Sequence, residues 1–466
     1  GGFATIATMW GWTDPQTGKE YAIIARSDGT GFTDVSNPLN PVYVGKLLRP
    51  APRVGAPTVP VQPSAWHELK VSGNTLVEVS EAEGYGMQTF DLTRLRQFAG
   101  TPLDLTASGR YEGFGRAHNV LVSDASGLAV ATGITGPNAA RTPGCGPGLH
   151  FVNVSNPASP AWAGCYTAPS YNNSNGYTHD AQCVRYHGPD TRYVGKEICL
   201  LANTKALIIV DASGRDANGR VTPVDLGWTT YPNVAYAHQG WLTEDHRYFY
   251  LDDELDQNGT TKTRTLVFDV QDLTKPTLVT EFTGRTTAID HNQYIRGRYA
   301  YQANYTAGLN ILDVQTPTTP REVAYFDTYP ANDQAIFGGL WNVYPYFASG
   351  TIVAATIQDG LFVLKPTALA LSNEPTPRVE GFDLTLDGAN PAQAPVRVRL
   401  ALEAPTSVRV AAYDVLGREV ATLFDGTAGA GITPLTFDAT GLASGVYVVN
   451  ARIASASVSR RVVVVR

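Results

Sequence analysis

The sequence is poor in charged residues, in methionine and in helical patterns. Charged side chains make up 17% of its 466 residues, and only two residues are methionine. Few windows show an apolar residue every third or fourth position, as an amphipathic helix requires. Gly (45), Pro (30) and Tyr (23) are plentiful. Because Gly and Pro favour turns and Tyr favours strands, this composition predicts many short strands joined by turns.

Two further absences exclude classes of partner. The net charge is −7, and the sequence has no basic stripe. Nucleic acid is therefore not an expected partner, because phosphate binding needs clustered Lys and Arg. No apolar run approaches the ~20 residues of a membrane-spanning helix, so we expect no membrane-spanning segment. The chain starts at Gly1 without a recognisable signal peptide, and we expect it to be a processed or trimmed form of a longer protein.

A short element returns along the chain: a histidine, an apolar run, a Gly/Asn/Asp turn and a second apolar run. Successive copies lie 51, 61, 59 and 53 residues apart. Trp10 and Trp341 are predicted to hold the histidine position in two further units. Short strands repeating every 40–50 residues or so are typical of a β-propeller. The five histidines are His67, His118, His179, His238 and His291.

Each unit is predicted to form four antiparallel strands, which is one propeller blade. The turn before the fourth strand recurs as an Asp/Asn-Val phrase that ends in Pro, at 34–41, 153–160, 269–276 and 313–320. The last unit lacks its fourth strand, and residues 1–9 are predicted to supply it.

The sequence therefore predicts an all-β fold in two domains. A seven-bladed β-propeller is expected over residues 1–366 and a linker over 367–378. Six short alternating strands in the last part of the chain predict a small Ig-like β-sandwich over 379–466.

Cysteine is scarce, and its placement is informative. The four residues form two close pairs in the sequence, Cys145 with Cys165 and Cys183 with Cys199. Four cysteines allow three connectivities. The predicted strand order favours pairing between these neighbours, within single blades. The alternative is four buried free thiols. Disulfides would indicate an oxidising compartment.

Two families resemble parts of this chain. The phrases GLNILDVQTPTTP (308–320) and ALIIVDASG (206–214) are similar to the LVIVD repeat. The ordered phrases THDAQCVRYHGPD, AHQGWLTED and IDHNQY resemble choice-of-anchor B proteins over essentially all of residues 1–366. The resemblance implies a cell-surface propeller whose relatives differ in how they are anchored, and it implies no particular enzymatic activity.

The C-terminal region resembles the type A sorting domain of type IX secretion. The matching phrases are AAYDVLGREVATLFDG (411–426) and FDATGLASGVYVVNARI (437–453), while the usual opening motif is reduced to GANPAQAP (388–395). The resemblance implies export across the outer membrane to the cell surface or the extracellular space. It also implies that the type IX secretion machinery is a partner of this domain.

The repeated histidines predict a site at one mouth of the propeller channel. The innermost strand of each blade starts at the histidine, and the following turns bring carboxylates to the same face. Imidazoles suit Zn²⁺ and carboxylates suit Ca²⁺, so a divalent metal, Ca or Zn, is one hypothesis. The carboxylates of this predicted site are Asp180, Asp252, Asp253, Glu254 and Asp290.

Under the metal hypothesis, we favour His118, His179 and His238 as the ligands, with Asp180 or Asp290 orienting an imidazole. The alternative is structural: the side chain at the histidine position packs the channel and hydrogen-bonds to the next blade. The two tryptophans predicted at this position favour the packing alternative.

Three functions remain open from the sequence. The leading one is a binding or interaction module for carbohydrate, peptide or a surface protein. The alternatives are a metal-dependent hydrolase or lyase that uses the channel histidines, and a structural surface scaffold. The sequence has no G-x-S-x-G, H-E-x-x-H or P-loop motif, so no catalytic residues are predicted.

Overall fold

The computed structural model describes residues 6–50, 64, 66–123, 125–135, 142, 145–366, 382–387, 395–414, 418–453 and 457–464. The chain divides into two compact units, residues 1–364 and 365–466. Both consist mainly of β-strands, so the predicted all-β fold is confirmed. The predicted linker at 367–378 lies outside the described residues.

The described residues of the first unit form strands β1 to β28 and two short 3₁₀ helices, Leu92–Gln97 and Tyr171–Asn173. The first strands are β1 (Ile6–Thr13), β2 (Glu20–Arg26), β3 (Gly29–Asp34), β4 (Val42–Leu47), β5 (His67–Ser72), β6 (Thr75–Ser80), β7 (Met87–Asp91), β8 (Leu103–Leu105), β9 (Gly109–Tyr111), β10 (Asn119–Val122), β11 (Ala129–Thr132), β12 (Leu149–Asn153) and β13 (Ala161–Tyr166). The next are β14 (Asp180–Arg185), β15 (Glu197–Ala202), β16 (Leu207–Asp211), β17 (Val224–Thr229), β18 (Ala237–Leu242), β19 (Tyr248–Asp253), β20 (Arg264–Asp269) and β21 (Thr277–Thr283). The last are β22 (Asn292–Arg296), β23 (Tyr299–Ala303), β24 (Leu309–Asp313), β25 (Arg321–Phe326), β26 (Leu340–Tyr344), β27 (Ile352–Thr356) and β28 (Gly360–Leu364).

These strands form a closed ring of sheets. Among the described residues of the first unit there are seven sheets, and their inner strands are β1, β5, β10, β14, β18, β22 and β26. Each inner strand contacts the next in this order, and β26 contacts β1. This is β-propeller geometry, and it is consistent with the predicted seven blades. The described part of the last sheet has three strands, β26 to β28.

Residues 1–9 are predicted to supply the fourth strand of the last unit, and this prediction is wrong for residues 6–9, the part that the structure describes. Residues 6–9 belong to β1, the inner strand of the first sheet, and not to an outer strand of the last sheet. Ala7 and Met9 are buried there, and β1 pairs with β2 of the first sheet. The ring closes through side chains as well, because Asn342 Nδ2 donates to Thr8 Oγ1 at 2.6 Å. Residues 1–5 lie outside the described residues.

Both predicted disulfides are present, Cys145–Cys165 and Cys183–Cys199. Cys183 on β14 lies directly opposite Cys199 on β15. The other bridge ties the segment before β12 to β13 within the same sheet. Each bridge therefore fastens one blade, as the strand order predicts.

Glycine lets neighbouring sheets approach closely at their outer strands. Gly164 on β13 has a φ of +131°, and a Cβ built there would lie 2.5 Å from the backbone oxygen of Val221 in the next sheet. A Cβ on Gly45 of β4 would likewise meet the backbone of Leu103 on β8, which is the next strand of the same sheet. Each follows a β-bulge between the third and fourth strands, which turns the outer strand towards the next sheet.

We expect Gly164→Ala to lower the free energy of unfolding by roughly 1–3 kcal/mol, because alanine is strained at this φ and its methyl would press on backbone. Urea denaturation would measure the change. Gly219→Ala is the matched control, since Gly219 also has a positive φ (+74°) but a Cβ there meets no described atom within 4 Å. An equal loss in both variants would show that the contact with Val221 is not what requires glycine.

The second unit has two sheets around its own core. Its strands are β29 (Phe382–Asp387), β30 (Val396–Leu402), β31 (Thr406–Tyr413), β32 (Glu419–Ala428), β33 (Gly431–Phe437), β34 (Gly445–Arg452) and β35 (Ser457–Val464). Strands β29, β30 and β33 form one sheet, and β32, β31, β34 and β35 form the other. Buried residues from both sheets, such as Leu400 and Val449, share one core, so the predicted β-sandwich is confirmed. Strand β29 is additional to the six predicted strands.

Candidate functional site

Four of the five repeated histidines lie side by side at one end of the inner strands. Neighbouring ring centres are 4.4 Å apart for His118 and His179, 4.2 Å for His179 and His238, and 4.4 Å for His238 and His291. Trp341 continues the row at 4.6 Å from His291. The row follows the order of the blades because each ring comes from the start of one inner strand.

Each of three imidazoles is fixed by a carbonyl group of the next blade. The Nδ1 atoms of His179, His238 and His291 lie 2.9, 3.1 and 2.6 Å from the backbone oxygens of His238, His291 and Trp341. A carbonyl oxygen only accepts, so Nδ1 carries the proton in each ring. This is the inter-blade hydrogen bonding that the packing alternative predicts. It leaves Nε2 as the atom with the free lone pair.

Glu254 lies between two of these lone pairs. Its two carboxylate oxygens lie 3.7 Å from the Nε2 atoms of His238 and His291. Tyr305 donates a hydrogen bond to the same carboxylate at 2.8 Å. The ligating atoms of His238, Glu254 and His291 all lie within 4.8 Å of one another. This trio shares only His238 with the predicted ligands His118, His179 and His238.

Burial keeps these imidazoles neutral at neutral pH. Desolvation lowers the pKa of His291 to about 3 and the pKa of His238 well below its usual value. Neighbouring histidines lower the pKa of His238 further. Burial also raises the pKa of Glu254 to about 7. Neutral imidazole is the form that ligates metals.

The predicted carboxylates have different surroundings. Asp252 accepts from His238 Nδ1 at 3.0 Å, a contact with a channel imidazole that the sequence predicts for Asp180 or Asp290. Asp253 accepts from the Tyr231 hydroxyl and from two backbone N–H groups, which makes it a structural residue. Asp290 accepts from the Asp253 N–H at 3.4 Å. Asp180 instead lines a separate cavity.

His67 also differs from the other repeated histidines. Its ring packs against Tyr85 with centres 5.5 Å apart, and its Nδ1 lies 3.7 Å from Glu78 inside the second sheet. Trp10 does not hold the histidine position, and that prediction is wrong. The residue of β1 that matches the histidine position in the ring is Ala7, because Trp10 contacts Tyr294 and Tyr344 further along the inner strands.

A cavity of about 640 Å³ lies along the inner strands. Most of its lining comes from residues beyond the histidine row, although Asp180 and Gln239, which directly follow His179 and His238, also line it. Aromatic residues of its lining contact one another: Trp241 packs edge-on against Tyr294 at 4.9 Å and tilts against Tyr346 at 6.5 Å. Trp10 lies 5.3 Å from Tyr294 on the opposite side.

Charged and polar groups interrupt the aromatic lining. Lys70 pairs with Glu68 at 2.7 Å, and its ammonium lies 4.5 Å above the centre of the Trp10 ring. One carboxylate oxygen of Asp180 accepts a hydrogen bond from the Ala181 N–H at 2.6 Å. Burial raises the pKa of Asp180 to about 7. A ligand here would meet both apolar ring surfaces and hydrogen-bonding groups.

The cavity can also be recognised in the sequence, from residues at a fixed distance after the histidine position. One cavity residue occupies the third position after the histidine position in every inner strand. Because the inner strands run side by side, residues at a fixed offset mark one depth of the channel. These residues are Trp10, Lys70, Leu121, Gln182, Trp241, Tyr294 and Tyr344, and none of them is among the predicted site residues.

Family models match two parts of the chain. The LVIVD repeat matches residues 294–328, and the secretion system C-terminal sorting domain matches residues 390–465. The first match covers β22 to β25 with their turns, and the second covers most of the sandwich. No curated protein matches the sequence. Among the helices of the described residues, none has the length and apolar character to cross a membrane.

Several solved structures are similar to this chain at low identity. PorZ, a bacterial surface component of the type IX secretion system of Porphyromonas gingivalis, is 14% identical with a TM-score of 0.49. That match covers 98% of this chain, which spans only 59% of the PorZ chain. The β-propeller domain of Cps50 (Swd1) from Myceliophteria thermophila is 11% identical over 79% of this chain and 98% of its own, with a TM-score of 0.47.

The periplasmic gluconolactonase PpgL of Pseudomonas aeruginosa is 11% identical over 93% of this chain and 99% of its own, with a TM-score of 0.45. The strand topology and the two family matches agree with the resemblance to choice-of-anchor B proteins. The chain is therefore an exported cell-surface or extracellular protein that combines an LVIVD-repeat β-propeller with a secretion system C-terminal sorting domain.

Proposed function

We propose that the propeller is a carbohydrate-binding module whose ligand occupies the aromatic cavity. The observation that carries this proposal is the cavity of about 640 Å³ lined by two tryptophans and three tyrosines. Its volume lies within the ~300–1,000 Å³ range of small-molecule sites. The five aromatic residues are Trp10, Trp241, Tyr294, Tyr344 and Tyr346.

The lining matches the surface chemistry of a sugar. A pyranose ring offers apolar C–H faces that pack on aromatic rings, and it offers hydroxyls at its edges. The cavity offers both aromatic rings for the C–H faces and polar groups for the hydroxyls, since Asp180 and Lys70 lie among the aromatic side chains. The polar groups fix orientation while the rings supply most of the buried apolar area. Export to the cell surface places the cavity where glycans are abundant.

Binding should depend on Trp241. We expect the full chain to bind a subset of oligosaccharides on a glycan array, and Trp241→Ala to weaken the best one at least tenfold in calorimetric titration, because it removes one aromatic wall. Trp228→Ala is the matched control, since Trp228 is 42% exposed on the outer strand β17 and lies outside the cavity.

Two results would contradict the proposal. Unchanged affinity in Trp241→Ala, or an equal loss in Trp228→Ala, would show that sugar does not bind in the cavity. Binding of peptides and not glycans, with loss in Trp241→Ala, would retain the cavity as the site and overturn carbohydrate as the ligand class.

A metal-dependent hydrolase or lyase is the second candidate function. The observation that favours it is the cluster of His238, Glu254 and His291, because two imidazoles and a carboxylate form a common catalytic metal set. The structural scaffold is the third candidate, and the hydrogen bonds between blades support it. Binding of sugar in the cavity would show that the propeller is more than a scaffold.

A further inference from the structure

We infer that His238, Glu254 and His291 form a binding site for a divalent transition-metal ion at the histidine end of the channel. The three side chains come from two adjacent blades and reach one point. This site goes beyond the proposed carbohydrate cavity, whose lining does not include any of these three side chains.

The spacing of the ligand atoms fits one ion. Both His–Glu distances, from Nε2 to a carboxylate oxygen, are 3.7 Å. That is too long for a hydrogen bond, so direct bonding between these groups does not explain the arrangement. Two ligands at ~2.0–2.1 Å from a tetrahedral zinc ion would lie about 3.3–3.4 Å apart. The two His–Glu distances are close to this spacing, and all three ligand atoms lie within 4.8 Å of one another.

The surrounding groups orient the ligands as metal sites require. Ligating histidines usually donate their other ring N–H to a carbonyl or a carboxylate. His291 Nδ1 lies 2.6 Å from the Trp341 carbonyl oxygen, and His238 Nδ1 lies within 3.1 Å of both the Asp252 carboxylate and a backbone carbonyl. Tyr305 holds the Glu254 carboxylate in turn. Each ligand thus has a partner that fixes its direction.

The types of ligand atom indicate which metal ion the site would bind. Two imidazole nitrogens and one carboxylate suit Zn²⁺ or Fe²⁺, whereas Ca²⁺ prefers six to eight oxygen ligands. The ligands are nearly buried, with the His238 and His291 side chains 2% and 4% exposed. A small space of about 10 Å³ is lined by His238 and His291 together with His118, His179 and other channel residues. It has about the volume that one water ligand needs.

Zinc titration of the chelator-treated full chain, purified without a histidine tag, tests this inference. We expect one equivalent of Zn²⁺ to bind and Ca²⁺ not to compete. Glu254→Gln should weaken Zn²⁺ binding at least tenfold, because it replaces a charged ligand with a neutral amide of the same shape. Glu81→Gln is the matched control, since Glu81 also pairs with a channel imidazole, His118, at 2.6 Å. It should keep the affinity of the original chain.

X-ray absorption of the zinc-loaded protein gives a second readout that does not depend on the variants. We expect two imidazole nitrogens in the first coordination shell, at ~2.0–2.1 Å. Absence of stoichiometric Zn²⁺ binding, or a shell without imidazole, would overturn the site. An unchanged affinity in Glu254→Gln, or an equal loss in Glu81→Gln, would also overturn it. Loss of sugar binding in Trp241→Ala would not bear on this result.

Discussion

Truncation after residue 378 is expected to abolish the appearance of the protein at the cell surface. The sorting domain matches residues 390–465, and the sandwich that contains it has its own core. Export should therefore depend on this domain while the propeller is the cargo. Protease accessibility on intact cells and fractionation of the culture would measure a loss of at least tenfold in the surface and secreted protein.

A point variant separates recognition of the folded domain from the effect of truncation. Val449 is fully buried on β34, in the core that both sheets share. Val449→Asp should unfold the sandwich and block export, because an unpaired buried charge costs several kcal/mol. Ile432→Asp is the matched control, as Ile432 is 66% exposed. Normal export of the truncated chain would contradict the assignment of this domain as the export signal.

Removing the Cys183–Cys199 bridge should cost about 3 kcal/mol of unfolding free energy, which is over a hundredfold in the folding equilibrium. The bridge closes a loop with a sequence separation of 16, and it thereby restricts the unfolded chain. Both residues are buried in the core between two blades, so serine hydroxyls in their place would be buried in apolar surroundings and add to the loss.

Urea denaturation of the Cys183→Ser/Cys199→Ser double variant tests this value. The original chain with reductant is the control, and its stability should fall towards that of a variant lacking both bridges. A loss below about 1 kcal/mol in the double variant would contradict the chain-entropy account, since loops of this size are expected to contribute about 3 kcal/mol.

The repeat pattern predicted most of the architecture. Histidine and the Pro-ended turn recur at fixed places, so strand order and both cysteine pairings followed from the sequence. The prediction placed residues 6–9 of β1 in the wrong sheet. Residues 6–9 resemble an outer strand as well as an inner one, and the pairing of β1 with β2 in the closed ring distinguishes the two. Strand β8 (Leu103–Leu105) was also not predicted, because this three-residue strand pairs in parallel with β4, which lies far from it in the sequence.

The candidate sites were less predictable because they depend on side-chain direction. Sequence spacing brought the histidines to one mouth, yet it could not show that Glu254 alone of its acidic run points between two imidazoles. The neighbouring Asp253 turns inward to backbone N–H groups instead. The aromatic cavity could have been found, since four of its five aromatic residues keep a constant offset of three from the histidine position.

The most direct test of the account is a crystal structure of the propeller with the best oligosaccharide from the glycan array. The account predicts a sugar ring packed against Trp241 inside the aromatic cavity, with hydroxyls within hydrogen-bonding distance of Asp180 or Lys70. A sugar bound on an outer strand, or an empty aromatic cavity at saturating ligand, would contradict it.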